Sequence, residues 1–482
     1  MIGGLMDHLA GAFGLANPGG AVNLSNILES SRTNRVNESH FASATDTPIN
    51  TVIANTLDTV RGRVAYEILN NPILSGMVKT FVDDLVGPDG PTIDIDSPSD
   101  EYNAGLLHYL NEWWTSPDLC DLNGELTGPD HLKLGIRQVL QTGDMIWQLA
   151  TARPMDLRSP ISLRIHAIHP RRLATPWAKV GSGNVAMGVE RNANGRPEAY
   201  YIEEEDGELA AAGAAKRVPA KDIIHIFERL EPNQIRGLPR LQAALNPAAE
   251  LRDYDATVMD AARVATMLAV LLYTTSDEVA HSQWTAPSSL EIQRSQMTTL
   301  PPGWQASQVT PANPPPIYSE FRRERLKDVG RAICMPLQTV QLDSTRHNYS
   351  SARMDRQGYT KNIRAEQAVA GRLAILRVIF RVGRELEVAR LIPPRPAEGH
   401  VMLTWPVFEH VDPLKEANAA RVRLESQITS RTQEAAHFGV DHEDTVIQRK
   451  RERDAMVGAE EPAKASSGGT NGTNGKGKTN EA

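Results

Sequence analysis

"DSTRHNYSSARMDRQGY", Asp343 to Tyr359, runs small and polar residues together and then passes into an Arg-studded helical pattern. What it does is decided by the rest of the sequence. A catalytic loop, a phosphate-binding loop and a loop lining a channel each place a bare polar segment at the mouth of a long helix. Behind it, helical periodicity holds from about Ser350 to Leu391, with Val369, Leu373, Leu376 and Phe380 on one face. That exceeds the usual length of a globular helix, so a kink is expected near Gly371 or Gly383. Ahead of it lies a shorter helical pattern, "IYSEFRRERLKDVGRAI", Ile317 to Ile333.

Both flanking segments are locally basic. The shorter helix carries Arg322, Arg323, Arg325, Lys327 and Arg331 against Glu320, Glu324 and Asp328. The longer one carries Arg353, Arg356, Lys361, Arg364, Arg372, Arg377 and Arg381 against Asp355 and Glu366. Salt-bridged helix surfaces account for such a pattern, and so does a cationic surface that meets a phosphate backbone without reading bases. The chain as a whole is acidic, with 51 basic and 59 acidic residues and a net charge of −8. A protein gripping nucleic acid over its whole surface is normally basic, so any DNA contact here is expected to be local or weak.

Upstream, Leu251, Tyr254, Val258, Ala261, Ala265, Leu268 and Leu272 recur at spacings of three and four, which predicts a helix with a narrow apolar seam. Prolines between Pro287 and Pro316 exclude a long helix there and predict short strands and extended linkers. From Asp144 the period is that of strands: "MIWQLAT", "LRIHAIHP", "VAMGVERNANGRPEAYYIEE" and "DIIHIFERL". Asn194-Gly195 is a hairpin turn signal. Thr51 to Val86 reads as helices broken at "NNP", Asn70 to Pro72, with further helices over 101–114 and 130–142. "HVMLTWP" is strand-like, and Pro413 to about Met456 is a charged helical region. Residues 1 to about 47 are expected to be a mobile arm, and the low-complexity stretch from about Gly458 to be disordered.

Composition bounds the chemistry. At 482 residues, 40% hydrophobic and 23% charged, the chain matches ordinary soluble proteins. Cys120 and Cys334 fit no zinc spacing and no disulfide framework. The most apolar run, Val264 to Tyr273, is about half the length needed to span a membrane. The opening residues lack a basic region and are not expected to be a signal peptide. Gly472 to Thr479 satisfies GxxxxGK[ST], but a working phosphate loop needs a buried strand before it and a helix after it. His166 and His169, on a strand-like segment, would face opposite sides and make poor joint metal ligands. "DHED", Asp441 to Asp444, reads as a solvated helix start, and no serine sits in a GxSxG elbow. No cofactor, no metal and no catalytic residue is expected.

Several segments then fall in order. "NNPILSGMVKTFVDDLVGPDG" (Asn70–Gly90), "LQTGDMIWQL" (Leu140–Leu149), "IHPRRLATP" (Ile168–Pro176), "GVERNANGRPEAYYI" (Gly188–Ile202), "VPAKDIIHIFERLEPNQIRGLP" (Val218–Pro239), "LRDYDATVMDAARVA" (Leu251–Ala265) and "NYSSAR" (Asn348–Arg353) succeed one another. Together they resemble tailed-phage portal proteins of the lambda-like family, over roughly residues 48 to 450. Two departures stand out. Trp304 follows "LPPG" where the family has an acidic residue. Cys334 stands in "AICMP" where the family tends to have glycine near the helix end.

The resemblance implies an α+β portal fold and a ring, dodecameric in the virion, at one capsid vertex. It implies a flexible arm (1–47), a mixed α/β wing (48–246), a stem helix (247–272), a small α/β clip (273–316) and a second stem helix (317–336). A tunnel loop (337–349), a long kinked helix with wing return (350–411), a helical crown region (412–457) and a disordered tail (458–482) follow. The expected partners are double-stranded DNA held transiently, the terminase large subunit, a head–tail adaptor, and the major capsid or scaffold protein, with assembly in the host cytoplasm and no membrane. Asp343, Ser344, Thr345, Arg346, His347 and Asn348 would form the DNA-facing collar, with Arg346 and His347 foremost. Channel-lining basic residues would come from Arg322, Arg323, Arg325, Lys327 and Arg331. Two rivals remain at this point: a head-completion or minor capsid protein that conducts nothing, and a DNA-processing enzyme.

Overall fold

The structure is a computed structural model. It describes residues 39, 42, 44–152, 159–203, 215–266, 270–274, 304–308, 317–345, 348–406, 413–437 and 442–459. Most of the arm, nearly all of the tail with its phosphate-loop pattern, Asp441 and most of the Pro-rich segment lie outside them. The chain divides into two units, Met1–Val52 and Ile53–Ala482. In the first, the hydroxyls of Thr45 and Thr47 lie 2.7 Å apart. The second carries the buried core and every described sheet.

Helix α1 (Ile49–Asn70) and helix α2 (Pro72–Val86) are separated by one residue. Asn71 makes the break: its side chain accepts a hydrogen bond from the Ile73 N–H, and Pro72 starts the next helix where no N–H is needed. Strand β1 (Thr92–Asp96), helix α3 (Asp100–Thr115) and helix α4 (Gly128–Thr142) follow. A capping box between Thr127 and Asp130 opens α4, and Gly143, at φ 92°, closes it.

The sheets sit against these helices. Strand β2 (Asp144–Thr151) is the centre of a three-stranded antiparallel sheet, flanked by β3 (Leu163–Ile168) and β8 (Ile223–Phe227). A four-stranded meander comprises β4 (Val185–Ala186), β5 (Val189–Arg191), β6 (Pro197–Glu203) and β7 (Ala215–Pro219). Its β5–β6 turn is the Asn-Gly pair, with Gly195 at φ 77° and Asn192 Oδ1 accepting from Asn194 and Arg196. Trp113 and Trp147 are fully buried in the main core, where the Trp113 indole donates to the Leu163 carbonyl at 3.0 Å.

Helix α5 (Leu245–Thr266) leads to β9 (Val270–Thr274), which pairs antiparallel with β10 (Trp304–Gln308). The helix expected over 247–272 therefore ends early. Val270 to Tyr273 is an apolar run that fits either period, and its ladder partner decided for strand. Helix α6 (Tyr318–Arg331), helix α7 (Leu337–Gln341) and helix α8 (Tyr349–Ala370) come next. A π-helical segment, Gly371–Ile375, joins α8 to helix α9 (Leu376–Val388). The expected break is thus at Gly371, where a Cβ would come 2.9 Å from Leu403. The buried face of this long element is Ala370, Ala374, Ile375, Val378, Ile379, Val382 and Leu386. It is not the predicted one: Leu373 and Phe380 are exposed, and Arg395 stacks 4.2 Å over the Phe380 ring. The wide turn adds a residue and so rotates the face the helix buries.

Strand β11 (His400–Thr404) returns to pair with β1, a ladder joining segments some three hundred residues apart. Helices α10 (Pro413–Glu425), α11 (Arg431–His437) and α12 (His442–Ala459) end the described chain. No helix among the described residues is long and apolar enough to cross a membrane.

One buried polar node ties α1, β2 and β8 together. The Asp144 carboxylate, at the first residue of β2, is fully buried. Its Oδ2 accepts from Arg61 of α1 at 3.0 Å and from Arg236 at 2.9 Å. Its Oδ1 accepts from the Gly237 N–H at 2.6 Å and faces His225 Nε2 at 3.0 Å. Burial alone would raise this carboxyl, but Arg236, His225 and the Gly237 N–H outweigh it and hold Asp144 below the usual carboxylate range. Burial, with the neighbouring Arg236 cation, pushes Arg61 down to about 10, so its guanidinium stays charged near neutral pH. Burial also lowers His225, against the pull of Asp144.

Candidate functional site

The polar loop is shorter than the sequence suggests. Residues 337–341 are helical, because Pro336 sets up α7, and α8 begins at Tyr349. The connection is Leu342 to Asn348. Asp343, Ser344, Thr345 and Asn348 are exposed, and Arg346 and His347 lie outside the described residues. Thr345 N–H donates to Asp343 Oδ1 at 2.9 Å, an Asx turn that sets the loop's first bend. Asn348 caps α8, its Oδ1 accepting from Ser351 N–H at 2.8 Å, so its side chain is committed to the helix. Leu342, with φ 52°, is 82% exposed and puts one apolar side chain at the loop's edge.

The loop's roots are fixed. Gln338 of α7 donates to the Ala352 carbonyl of α8 at 3.2 Å. Tyr359 of α8 donates to Asp84 of α2 at 3.0 Å, and Gln367 donates to the Leu85 carbonyl at 3.0 Å. Burial raises both the Asp84 carboxyl and the Tyr359 phenol, so the tyrosine keeps its proton and its donor role. Glu366 of α8 pairs with Arg240 at 2.8 Å. The exposed segment is therefore held at both ends by a helix packed on the core.

The five basic residues of α6 do not share one environment. Arg322 pairs with Asp255 of α5 at 3.0 Å. Beside it Tyr318 donates to the same carboxylate at 2.8 Å, and Tyr254 packs on Tyr318 and Phe321. Arg325 reaches Asp328 at 3.5 Å and lies 5.6 Å from the Phe321 ring. Lys327 contacts Glu324 at 2.5 Å. Arg323 and Arg331 have no ion pair among the described residues. Arg322, committed inside the subunit, is the one that local spacing could not sort from the rest.

Helix α6 ends in a Schellman motif: Met335 N–H donates to the Gly330 carbonyl at 2.9 Å and Cys334 N–H to the Arg331 carbonyl at 3.1 Å. The residue in the left-handed position, φ 57°, is Cys334. Cys334→Gly is expected to stabilise the fold by about 0.5–1 kcal/mol, the relief of a left-handed Cβ less the entropy glycine costs. A higher urea midpoint at unchanged slope would register it.

Cys120 is buried and Cys334 exposed, and both are free thiols. His166 lies in β3, but His169 falls just beyond the strand, its Nδ1 accepting from Arg171 N–H at 3.1 Å. Among the described residues no group of three or more His, Cys, Asp or Glu is placed to hold a metal ion.

The sequence model described as phage portal protein, lambda family, matches residues 36–367, well over half of the chain and inclusive of the loop, α6 and most of α8. Similar solved structures include the neck of an empty gene transfer agent particle computed with C6 symmetry. It is 15% identical, with 83% of this chain and 97% of that one covered and a TM-score of 0.43. The neck of a native particle computed with C12 symmetry is 13% identical, with the same coverage and TM-score. An HK97 family phage portal protein from Corynebacterium diphtheriae is 12% identical, with 73% and 96% covered and a TM-score of 0.32. Family membership rests on the sequence match, which takes in every ordered segment from Asn70 to Arg353. The chain belongs to the lambda family of phage portal proteins.

Proposed function

We propose that this chain is the subunit of a ring-shaped channel at one capsid vertex, through which double-stranded DNA is packaged and later ejected, and that it has no enzymatic activity of its own. A terminase motor, docking first, supplies the energy, and a head–tail adaptor replaces it. The observation that carries this reading is the set of exposed residues Leu342 to Thr345 and Asn348, between roots clamped to the core, within a chain of portal family. Repeated around an axis, such a loop makes a hydrophilic collar in which no single copy binds DNA tightly. A net charge of −8 suits a conduit, since a strongly basic wall would hold the phosphate backbone and stall its passage.

Arg346 and His347 are the residues assigned to transient phosphate contact. Replacing both with Asp should leave ring assembly intact while DNA packaging or retention falls at least tenfold. Electron microscopy reads the first and nuclease-protected DNA the second. Packaging at the wild-type level would remove the loop from the mechanism and favour a capsid protein that conducts nothing.

A further inference from the structure

Helices α5 and α6 pack side by side through Tyr254, Asp255, Tyr318 and Arg322. At about 100° per residue, the two outer faces of this pair carry opposite charge. On α5, Glu250, Asp253, Thr257 and Asp260 recur at spacings of three and four, all exposed, and lie about 180° from Asp255. Among the described residues Asp253 and Asp260 pair only within their own helix, with the half-buried Arg252 at 3.9 Å and the exposed Arg263 at 2.9 Å. Such pairs are worth little. On α6, Arg323, Lys327 and Arg331 recur every four residues, turned about 100–180° from Arg322; Lys327 is paired with Glu324 of its own helix, so the uncompensated cations of this face are Arg323 and Arg331. They line an open cleft of about 880 Å³ between α6 and α8, with Met354, Asp355 and Lys361 on its far wall. Lys361, like Arg323 and Arg331, has no ion pair among the described residues. The acidic stripe spans about 15 Å and the basic one about 12 Å along their helices.

We infer that the cleft between α6 and α8 receives the acidic face of α5 from a second copy of this chain. The two faces lie on opposite sides of one helix pair, so the contact is heterologous and each docking leaves the next face free, which is the condition for a closed ring. Arg323 and Arg331 then neutralise a neighbour and Lys327 stays with Glu324, so none of the three is available to line the channel and DNA contact falls to the loop. The inference rests on the ring reading and assigns one of its subunit contacts.

Two charge-reversed proteins test it. One carries Arg323→Glu with Arg331→Glu, and the other Glu250→Lys with Asp253→Lys. All four sites are at the surface, and thermal melts should confirm that both fold like the wild type. In native mass spectrometry each alone should show at least a tenfold smaller assembled fraction than wild type. Mixed in equal amounts they should assemble again, because each then meets the opposite charge on both faces. Wild-type assembly by either alone would overturn the inference, as would loss in both with no recovery on mixing. A wild-type chain that stays monomeric under all conditions would overturn the ring reading instead.

Discussion

Asp144→Asn is expected to lower the unfolding free energy by about 3–5 kcal/mol, the largest effect of any single substitution proposed for this protein. The carboxylate faces Arg61, Arg236, the Gly237 N–H and His225, with no exposure to solvent. Arg236 is itself 2% exposed, and its remaining donors go to the Met187 and Pro170 carbonyls. An amide in place of the carboxylate turns one acceptor into a donor among donors. It also leaves the Arg236 guanidinium buried without a counter-charge and Arg61 with only the exposed Asp58 at 3.6 Å. Urea melts at pH 7.5 measure the loss directly, and a change below about 1 kcal/mol would contradict this role for the carboxylate.

The same node predicts how stability depends on pH. In the unfolded chain histidines take up protons below about 6.5 and aspartate below about 3.9. Burial holds His225 and His131 below their ordinary values in the folded state, so the unfolded chain binds more protons as pH falls under about 6.5. Stability should begin to decline there. Asp144, depressed in the folded state, contributes fully above about 4, and its share is lost as pH drops further. The Asp144→Asn variant should therefore lose the steeper acid limb and keep the shallower one.

Gly237→Ala is the second large expectation, at about 3 kcal/mol or more. A Cβ on Gly237 would fall inside the Gly143 carbonyl, and one on Gly143 would lie 2.6 Å from the Gly237 carbonyl carbon. Here main chain meets main chain, so no rotamer change relieves the collision. Displacing Gly237 also pulls its N–H from Asp144 Oδ1. Gly143→Ala should cost a similar amount, with added strain at φ 92°. Because the two sites share one contact, the double variant should cost clearly less than the sum of the singles. Additive losses in chemical melts would show that the glycines act separately.

Much of this was legible from residues alone, for identifiable reasons. "NNP" announced a helix break because a capping side chain and a proline act within three residues. Asn194-Gly195 announced a hairpin because positive φ is a local requirement. The α5 seam was readable at Leu251, which the core buries, and at Tyr254, on which one neighbouring helix packs. Other features carried no local signal. Val270 to Tyr273 fits two periods, and β10 chose between them. "TIDID", Thr92 to Asp96, is too short to announce itself, and its partner β11 lies at the far end of the chain. Arg322 and Arg323 are adjacent and chemically identical, yet one is neutralised within the subunit and the other lines a cleft.

Local sequence was enough for most element types, the family and the polar character of the loop, because helix period, turn chemistry and ordered motifs are properties of neighbouring residues. The fold alone settled which charges are spent inside the subunit, which face the long helix buries around its π turn, and that Asp144, Gly143 and Gly237 meet. Those outcomes depend on groups brought together from distant positions, 67 residues apart for Asp255 and Arg322 and 92 for Asp144 and Arg236, where no periodicity in the chain can record who faces whom.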